Sequence, residues 1–421
     1  MIPLSLLDIA AYRAQHAVGS VVLAQVTWLI EGSPDIGRIR ALADRLAASS
    51  QLGRVVLPAR VLGGRDHWGP LASVPEVVVE PGPVDRSAVL DWVDARGRVP
   101  VLPSSSPWHL AVRPFTDGGH AVTLVVSHAL TDGVGLINAL TSAGRRAPSL
   151  YAGRGPGLLT GVREALTGLP AGIRAAIAAA RATGSGDGGP APRMTSRPRP
   201  HTLVALVDSS AWHAAAAALG GSSNALFVSV AAQVAAAIGR VTADGTAIVG
   251  IPVNDRTEGD DVSANALTTV QLDLPADQIR DVAFIRAEIK RVLVARSGQD
   301  AAFVAMLPIV PYLPASVLRP VAQAALGAGD PVTTASHVGV LPRALVTAPG
   351  PASAVFLNLG MQHPDALEVP ERLNALAAET PDGTVAVHLG SASDRIADAA
   401  GWRAAARAAL LALGIEAREI L

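Results

Sequence analysis

The sequence predicts an α/β protein with mixed α+β sheets, built as two comparable lobes with a cleft between them. Three observations carry this prediction. Strand-like apolar runs alternate with helix-spaced segments along all 421 residues. The chain splits into two halves of similar make-up around a Gly-, Pro- and Arg-rich stretch, 183–200, which reads as a linker. A polar motif, Ser127-His128-Ala129-Leu130-Thr131-Asp132-Gly133, lies between a strand-like run and a helix start, where α/β folds usually place chemistry. Half of the residues are hydrophobic, enough for a large core. The expected organisation is an N-terminal lobe over 1–182, the linker over 183–200 and a C-terminal lobe over 201–421.

In the first lobe, 21–30 reads as a strand, followed by a turn at 31–35 that ends in a helix N-cap. Ile36, Ile39, Leu42 and Leu46 then keep helical spacing. Residues 55–62 and 75–80 read as strands and 88–95 as a short helix. Residues 108–114 and 120–126 form a hairpin around Asp117-Gly118-Gly119, with Trp108 in the core. The motif and its helix follow, and then an alanine-rich helix over 151–182, interrupted at Pro170. In the second lobe, 202–207 is a strand and 209–219 a helix ended by Gly220-Gly221. Ser222-Ser223-Asn224 caps an apolar helix over 225–238, with Asn224 as the capping residue. Strands follow at 246–253 and 266–274, then a helix over 277–295 with Val282, Ile285, Ile289 and Val292 on one face. Strands at 354–359 and 383–389 and a closing helix over 393–413 complete the chain.

Composition narrows the function. A net charge of −1 gives no electrostatic footprint for nucleic acid or an anionic membrane. With no cysteine, disulfides, thiolate nucleophiles and cysteine metal sites are excluded. The N-terminus lacks the basic region and cleavage site of a signal peptide. The most apolar long segment, 301–328, holds four prolines and Arg319, which argues against a transmembrane helix and for a buried or interfacial element, so peripheral lipid contact stays open. A cytoplasmic monomer is expected.

Of the ten histidines, only His128 has aspartate four residues on, and Gly133 follows it. Imidazole titrates near neutrality, which suits a general base. Asp132 either orients that histidine or forms a structural pair. Gly133 removes bulk where a substrate approaches and allows a positive φ, and its N–H at a helix start is placed to polarise an oxygen. Ser127 offers a hydroxyl contact or is a spacer in the turn. No histidine pair has the spacing of a zinc helix, and there is neither a phosphate loop nor a Gly-x-Ser-x-Gly elbow. No metal and no cofactor are expected.

The motif, its strand–loop–helix setting and the two-lobe layout resemble the HxxxD acyltransferase superfamily. That group holds chloramphenicol-acetyltransferase-like enzymes, condensation domains, polyketide-associated acyltransferases and wax ester synthase/diacylglycerol acyltransferases. Ser106-Pro107-Trp108-His109-Leu110 is similar to the Pro-x-Trp strand of the wax-synthase branch, and Gly220 to Ala237 to its Gly-x-x-Asn helix. Gly250-Ile251-Pro252-Val253-Asn254-Asp255-Arg256, with Asn265 further on, is similar to a segment shared with condensation domains. Ala335-Ser336-His337-Val338-Gly339-Val340-Leu341-Pro342 is similar to a Ser-Asn-x-Gly segment, with His337 in place of asparagine. Ser127 stands where many members carry a second histidine, and the Asp-Phe-Gly-Trp-Gly segment of other branches is not evident.

The resemblance implies two chloramphenicol-acetyltransferase-like lobes forming a pseudo-dimer with a tunnel between them. It implies transfer of an acyl group from a thioester, either acyl-coenzyme A or an acyl carrier protein, to a small-molecule hydroxyl or amine. His128 would be the general base, without a covalent acyl-enzyme. Asp132 would turn away from it to pair with Arg256. Ser336 and His337 either line the tunnel from the second lobe or make structural hydrogen bonds. The alternatives are a stand-alone condensation enzyme with a carrier-protein donor and a non-catalytic acyl- or carrier-binding homologue.

Overall fold

The computed structural model describes residues 2–141, 151, 157–183, 200–257, 262–296, 304–327, 332–363, 371–393, 395–396 and 398–421. The chain opens with β1 (Ile2–Pro3), α1 (Leu6–Val18), β2 (Val21–Ile30) and α2 (Ile36–Ala47). Short strands β3 (Arg54–Leu57), β4 (His67–Pro70) and β5 (Val77–Val79) lead to α3 (Val89–Gly97) and the hairpin β6 (Trp108–Pro114) and β7 (His120–Ser127). The helices α4 (Gly133–Thr141) and α5 (Leu158–Thr183) follow. The second half holds β8 (Pro200–Asp208), α6 (Ser209–Ala218), α7 (Ser223–Ala237), β9 (Ala247–Asn254), β10 (Leu267–Leu274) and α8 (Val282–Ala295). A 3-10 turn (Leu307–Tyr312) then precedes α9 (Ala315–Gly327), β11 (Thr333–Val340) and α10 (Arg343–Val346). Last come β12 (Ala352–Gln362), β13 (Arg372–Glu379), β14 (Thr384–Ala392), α11 (Ala399–Leu411) and β15 (Glu419–Ile420).

Two large mixed sheets organise these elements. The first has the order β12-β2-β7-β6-β5 and the second β10-β9-β11-β13-β14-β8-β15, while β1, β4 and β3 form a small third sheet. In the first sheet, β2 runs antiparallel to β7 from Leu23↔Ser127 to Ile30↔His120, and its other edge takes β12. A strand of the C-terminal half therefore completes the sheet of the N-terminal half.

Alternation along β2 decides its two faces. Val26, Trp28 and Ile30 pack with Ile39, Leu42 and Leu46 of α2. Leu29 on the other face joins Val89 and Val93 of α3, Phe356 of β12, and Val204, Leu206 and Ala386 of the second sheet. This last cluster is the apolar seam between the lobes. The second lobe packs around α7, buried at every position from Ala225 to Ala235, against Trp402, Ala406 and Leu410 of α11. Trp108 is fully buried, as expected, with its Nε1 donating to Leu52 O at 2.9 Å.

Several elements differ from the sequence reading. The strands expected over 55–62 and 75–80 shrink to β3 and β5, because prolines and glycines at their ends cannot extend the ladders. The helix expected to break at Pro170 runs through it as α5, with Pro170 and Leu166, whose carbonyl loses its donor, both on the exposed side. The cap of α7 is Ser222, whose Oγ accepts from Ala225 N at 3.3 Å, while Asn224 lies inside the first turn. Helix α1 and strand β13 were not anticipated. Most of the linker expected over 183–200 lies outside the described residues.

Candidate active site

Strand β7 ends at Ser127, and the loop that follows is tied at once to its neighbour: His128 N–H donates to Val22 O at 2.8 Å. Ser127 is fully buried, and its Oγ accepts from Ala129 N at 3.3 Å. It therefore shapes the turn, as its spacer reading expects. Within the motif only His128 and Gly133 keep partial exposure. Burial pushes the His128 imidazole below its ordinary value, with the Asp132 carboxylate pulling the other way. Burial therefore favours the neutral form of the ring, the form that can accept a proton.

Asp132 faces away from a triad arrangement. Its Oδ1 accepts Gly135 N at 2.7 Å, capping α4, and its Oδ2 accepts Ala266 N at 2.9 Å and Arg256 Nη2 at 3.0 Å. The Asp132–Arg256 ion pair is buried on both sides, with 3% and 5% side-chain exposure. Arg256 also donates to Ser263 O at 2.9 Å and Ala264 O at 3.1 Å. The arginine proposed from sequence as the aspartate's partner thus sits there, across the seam between lobes.

Two further charges complete this arrangement, and the sequence reading missed both. Asp8, in the first turn of α1, accepts Asn265 N at 2.8 Å and Ala264 N at 3.1 Å, and burial pushes its carboxyl up. Arg54, fully buried on β3, donates to Leu130 O at 2.7 Å, Val262 O at 2.5 Å and Gln51 Oε1 at 2.9 Å. Its guanidinium lies 3.8 Å over the Trp68 ring. Asn265 links the two loops directly, its Nδ2 donating to His128 O at 3.2 Å. Residues 128–132 of one lobe and 262–266 of the other are therefore joined by Arg54, Arg256, Asp132, the Asn265 amide and the backbone bond from Asp132 N–H to Ala264 O at 2.8 Å, while Asp8 holds the 264–265 backbone from α1.

Gly133 starts α4 without a positive φ, so the left-handed backbone that glycine would allow is not used there. A Cβ there would meet nothing within 4 Å, so the fold itself does not require glycine at this position. Gly135 is the position that does: a Cβ would fall 2.4 Å from Thr131 Oγ1 and 3.2 Å from both Arg256 Nη2 and Asp132 Oδ1.

Ser336 and His337 lie on β11 and point to opposite faces. His337 Nε2 is 2.8 Å from Ser223 Oγ, and the ring packs against Phe227, so it is directed onto α7 in the core side of its own lobe. Ser336 shares its face with its register partner Leu376, which packs on the first-lobe core. Among the described residues neither is hydrogen-bonded to His128.

A cavity of about 110 Å³ lies between the sheets, lined by Leu23 and Gln25 of β2, Asp94 and Arg98 at the end of α3, Asn358 of β12 and Arg372 of β13, among others. Leu23 is the register partner of Ser127, so this polar pocket opens one strand away from the histidine loop. Desolvation raises the Asp94 carboxyl to about 6 and lowers Arg372 to about 10. A larger groove of about 810 Å³ between α2, the end of α4 and α10 is lined by none of the motif residues 127–133.

No protein-family model matches the sequence, and no curated protein matches it either. Solved structures do. The wax ester synthase/diacylglycerol acyltransferase from Marinobacter aquaeolei VT8 superposes with a TM-score of 0.57 at 15% identity, over 98% of each chain. The first condensation domain of the CDA synthetase gives 0.56 at 17% identity, over 98% of this chain and 96% of that one. The starter condensation domain of rhizomide synthetase, in complex with C8-CoA and Leu-SNAC, gives 0.54 at 15% identity, over 98% and 94%. At these identities the likeness carries the fold alone: this chain has the two-lobed fold shared by these condensation domains and this wax ester synthase/diacylglycerol acyltransferase.

Proposed function

We propose that the protein is an acyltransferase that moves an acyl group from a thioester to a hydroxyl or amine. The observation that carries this reading is a neutral, partly exposed His128 on a loop clamped from both lobes, beside the free approach at Gly133. In the proposed step, the acceptor O–H or N–H attacks the thioester carbonyl while His128 takes its proton. Negative charge gathers on the carbonyl oxygen, next to the N-terminal N–H groups of α4. The C–S bond then breaks, the thiolate recovers the proton from His128, and an ester or amide leaves with the free thiol. Asp132 and Arg256 act through the loop they hold. The polar inter-lobe cavity gives room for part of a substrate.

The structural relative bound to C8-CoA and Leu-SNAC supports thioester substrates, and both coenzyme A and a carrier protein present the same reactive bond. Thiol release from a panel of acyl-coenzyme A and acyl-carrier donors, with pooled alcohols and amines, tests the reading. Acceptor-dependent release that falls about 10²-fold or more in His128→Ala is expected. Activity that survives the substitution refutes His128 as base. Binding of a donor without any turnover would point instead to a non-catalytic acyl or carrier binder.

A further inference from the structure

Helix α5 is packed inside out. Its buried face consists of small residues: Gly161, Ala165, Gly168, Gly172 and Ala175 are buried or half-buried. This stripe lets Tyr312 lie flat against the helix, with its Oη donating to Ala165 O at 2.7 Å. A Cβ at Gly168 or Gly172 would fall within 2.7 to 2.8 Å of the Tyr312 ring or hydroxyl. The large apolar residues point the other way. Leu159 is 85% exposed and Leu166 66%, and Val162, Leu169, Ile173 and Ile177 are exposed beside them. Soluble helices normally turn such residues inward, and an array of this length goes beyond the singly scattered apolar residues of ordinary surfaces.

The charges on this face are of one sign. Arg163 and Arg174 are exposed, while the helix's only carboxylate, Glu164, turns inward to His67 Nε2 at 3.0 Å and Arg65 N at 3.2 Å. The segment that carries Tyr312 has the same character. Val304, Val317 and Val321 are exposed there, Arg319 is the only charged residue over 304–327, and there is no carboxylate. At 1.5 Å per residue, the exposed stretch of α5 over 158–177 offers an apolar, basic ridge about 30 Å long.

The net charge of −1 gives the chain as a whole no attraction for an anionic membrane, but this ridge carries local positive charge, and from it we infer that α5, with the adjoining 304–327 segment, lies on an anionic lipid surface, with the leucines and isoleucines in the acyl boundary and the arginines at the phosphates. Apolar length combined with positive charge fits phospholipid better than a second copy of the same ridge, because two such ridges would bring arginines against arginines. This inference is independent of the proposed chemistry.

The test is co-sedimentation of the full chain with vesicles of phosphatidylglycerol and phosphatidylcholine, compared with phosphatidylcholine alone. Binding is expected to favour the anionic vesicles, to fall about 10-fold or more in Leu159→Glu/Leu166→Glu/Ile173→Glu, and to lose its anionic preference in Arg163→Glu/Arg174→Glu. The replaced side chains are exposed, so unchanged circular dichroism and melting establish that these variants fold. His128→Ala is expected to bind vesicles like the wild type, which separates this result from any outcome for catalysis. Wild-type protein that ignores both vesicles overturns the inference, and a lipid-free dimer dispersed by the glutamate variant would assign the ridge to a second copy instead.

Discussion

Replacing Arg256 by methionine tests whether Asp132 is a clamp or a catalytic orienter. The guanidinium donates to Asp132, Ser263 O and Ala264 O from an almost fully buried position. Its loss leaves a buried carboxylate whose remaining donors are the Gly135 and Ala266 N–H groups. Breaking a buried pair typically costs about 3–5 kcal/mol. Because two backbone donors stay with Asp132, Arg256→Met is expected near the lower end, about 3 kcal/mol. Asp132→Asn keeps the shape but turns an amide N–H toward a donor, so it is expected to destabilise by a similar amount. The double variant removes both charges and is expected to cost about 2 kcal/mol less than the sum of the single changes. Urea unfolding followed by tryptophan fluorescence measures the cycle, and thiol release measures activity in parallel. A loop displaced by about 1 Å loses about 10²-fold in rate, so both single variants are expected to lose activity together. A triad aspartate behaves differently, since its amide variant keeps the fold and loses about 10⁴-fold in rate. If Asp132→Asn is as stable as wild type and loses activity on that scale while Arg256→Met does not, the clamp reading fails.

Three other expectations follow from the same geometry. Burial lowers the His128 imidazole, so its neutral, active form persists below the ordinary histidine range; the rising limb of kcat/KM against pH is expected to have its midpoint below about 6.5, and a midpoint above that value would contradict the burial argument. Gly135→Ala forces a Cβ onto Thr131 Oγ1 and is expected to unfold the loop, whereas Gly133→Ala is expected to melt like wild type and raise KM or lower kcat; equal stability of the two variants in thermal unfolding would refute this contrast. Asp94 has its native carboxyl raised to about 6 from 3.8, so the native state holds its proton more tightly and stability falls as pH rises through that window. Asp94→Asn is expected to flatten this slope, by up to about 3 kcal/mol at pH 7, and an unchanged urea-denaturation profile from pH 4 to 7 would rule it out.

The sequence made the motif, its strand–loop–helix frame and the Asp132–Arg256 pair legible, because each rests on local spacing or on a segment with a recognisable pattern. Asp8 and Arg54 were not legible. Each is a single charge in an ordinary local setting, and its partners lie 256 and 208 residues away at Ala264 and Val262. Strand β13 was hidden for a different reason. Arg372-Leu373-Asn374-Ala375-Leu376-Ala377-Ala378-Glu379 is rich in helix formers, and only pairing with β11 on one side and β14 on the other makes it a strand. The strand character of β12 was readable, but its place beside β2 was not, since no local signal tells a strand to cross to the other lobe's sheet.

The charges around the motif also explain why the site sits at the seam. Four buried ionic groups are costly, and well-packed apolar side chains would often make a more stable core. Apolar side chains cannot, however, donate to the carbonyls of Leu130, Val262, Ser263 and Ala264, or accept from the N–H groups of Gly135, Ala264, Asn265 and Ala266, as Arg54, Arg256, Asp132 and Asp8 do. One backbone bond, Asp132 N–H to Ala264 O at 2.8 Å, joins these two loops from different lobes, and with no sheet ladder beside it their remaining backbone groups need side-chain partners. The ionic groups supply these partners, and through Asn265 they fix the carbonyl of His128 itself. Positioning His128 and docking the lobes are therefore one event, and a change that loosens either is expected to show in both stability and rate.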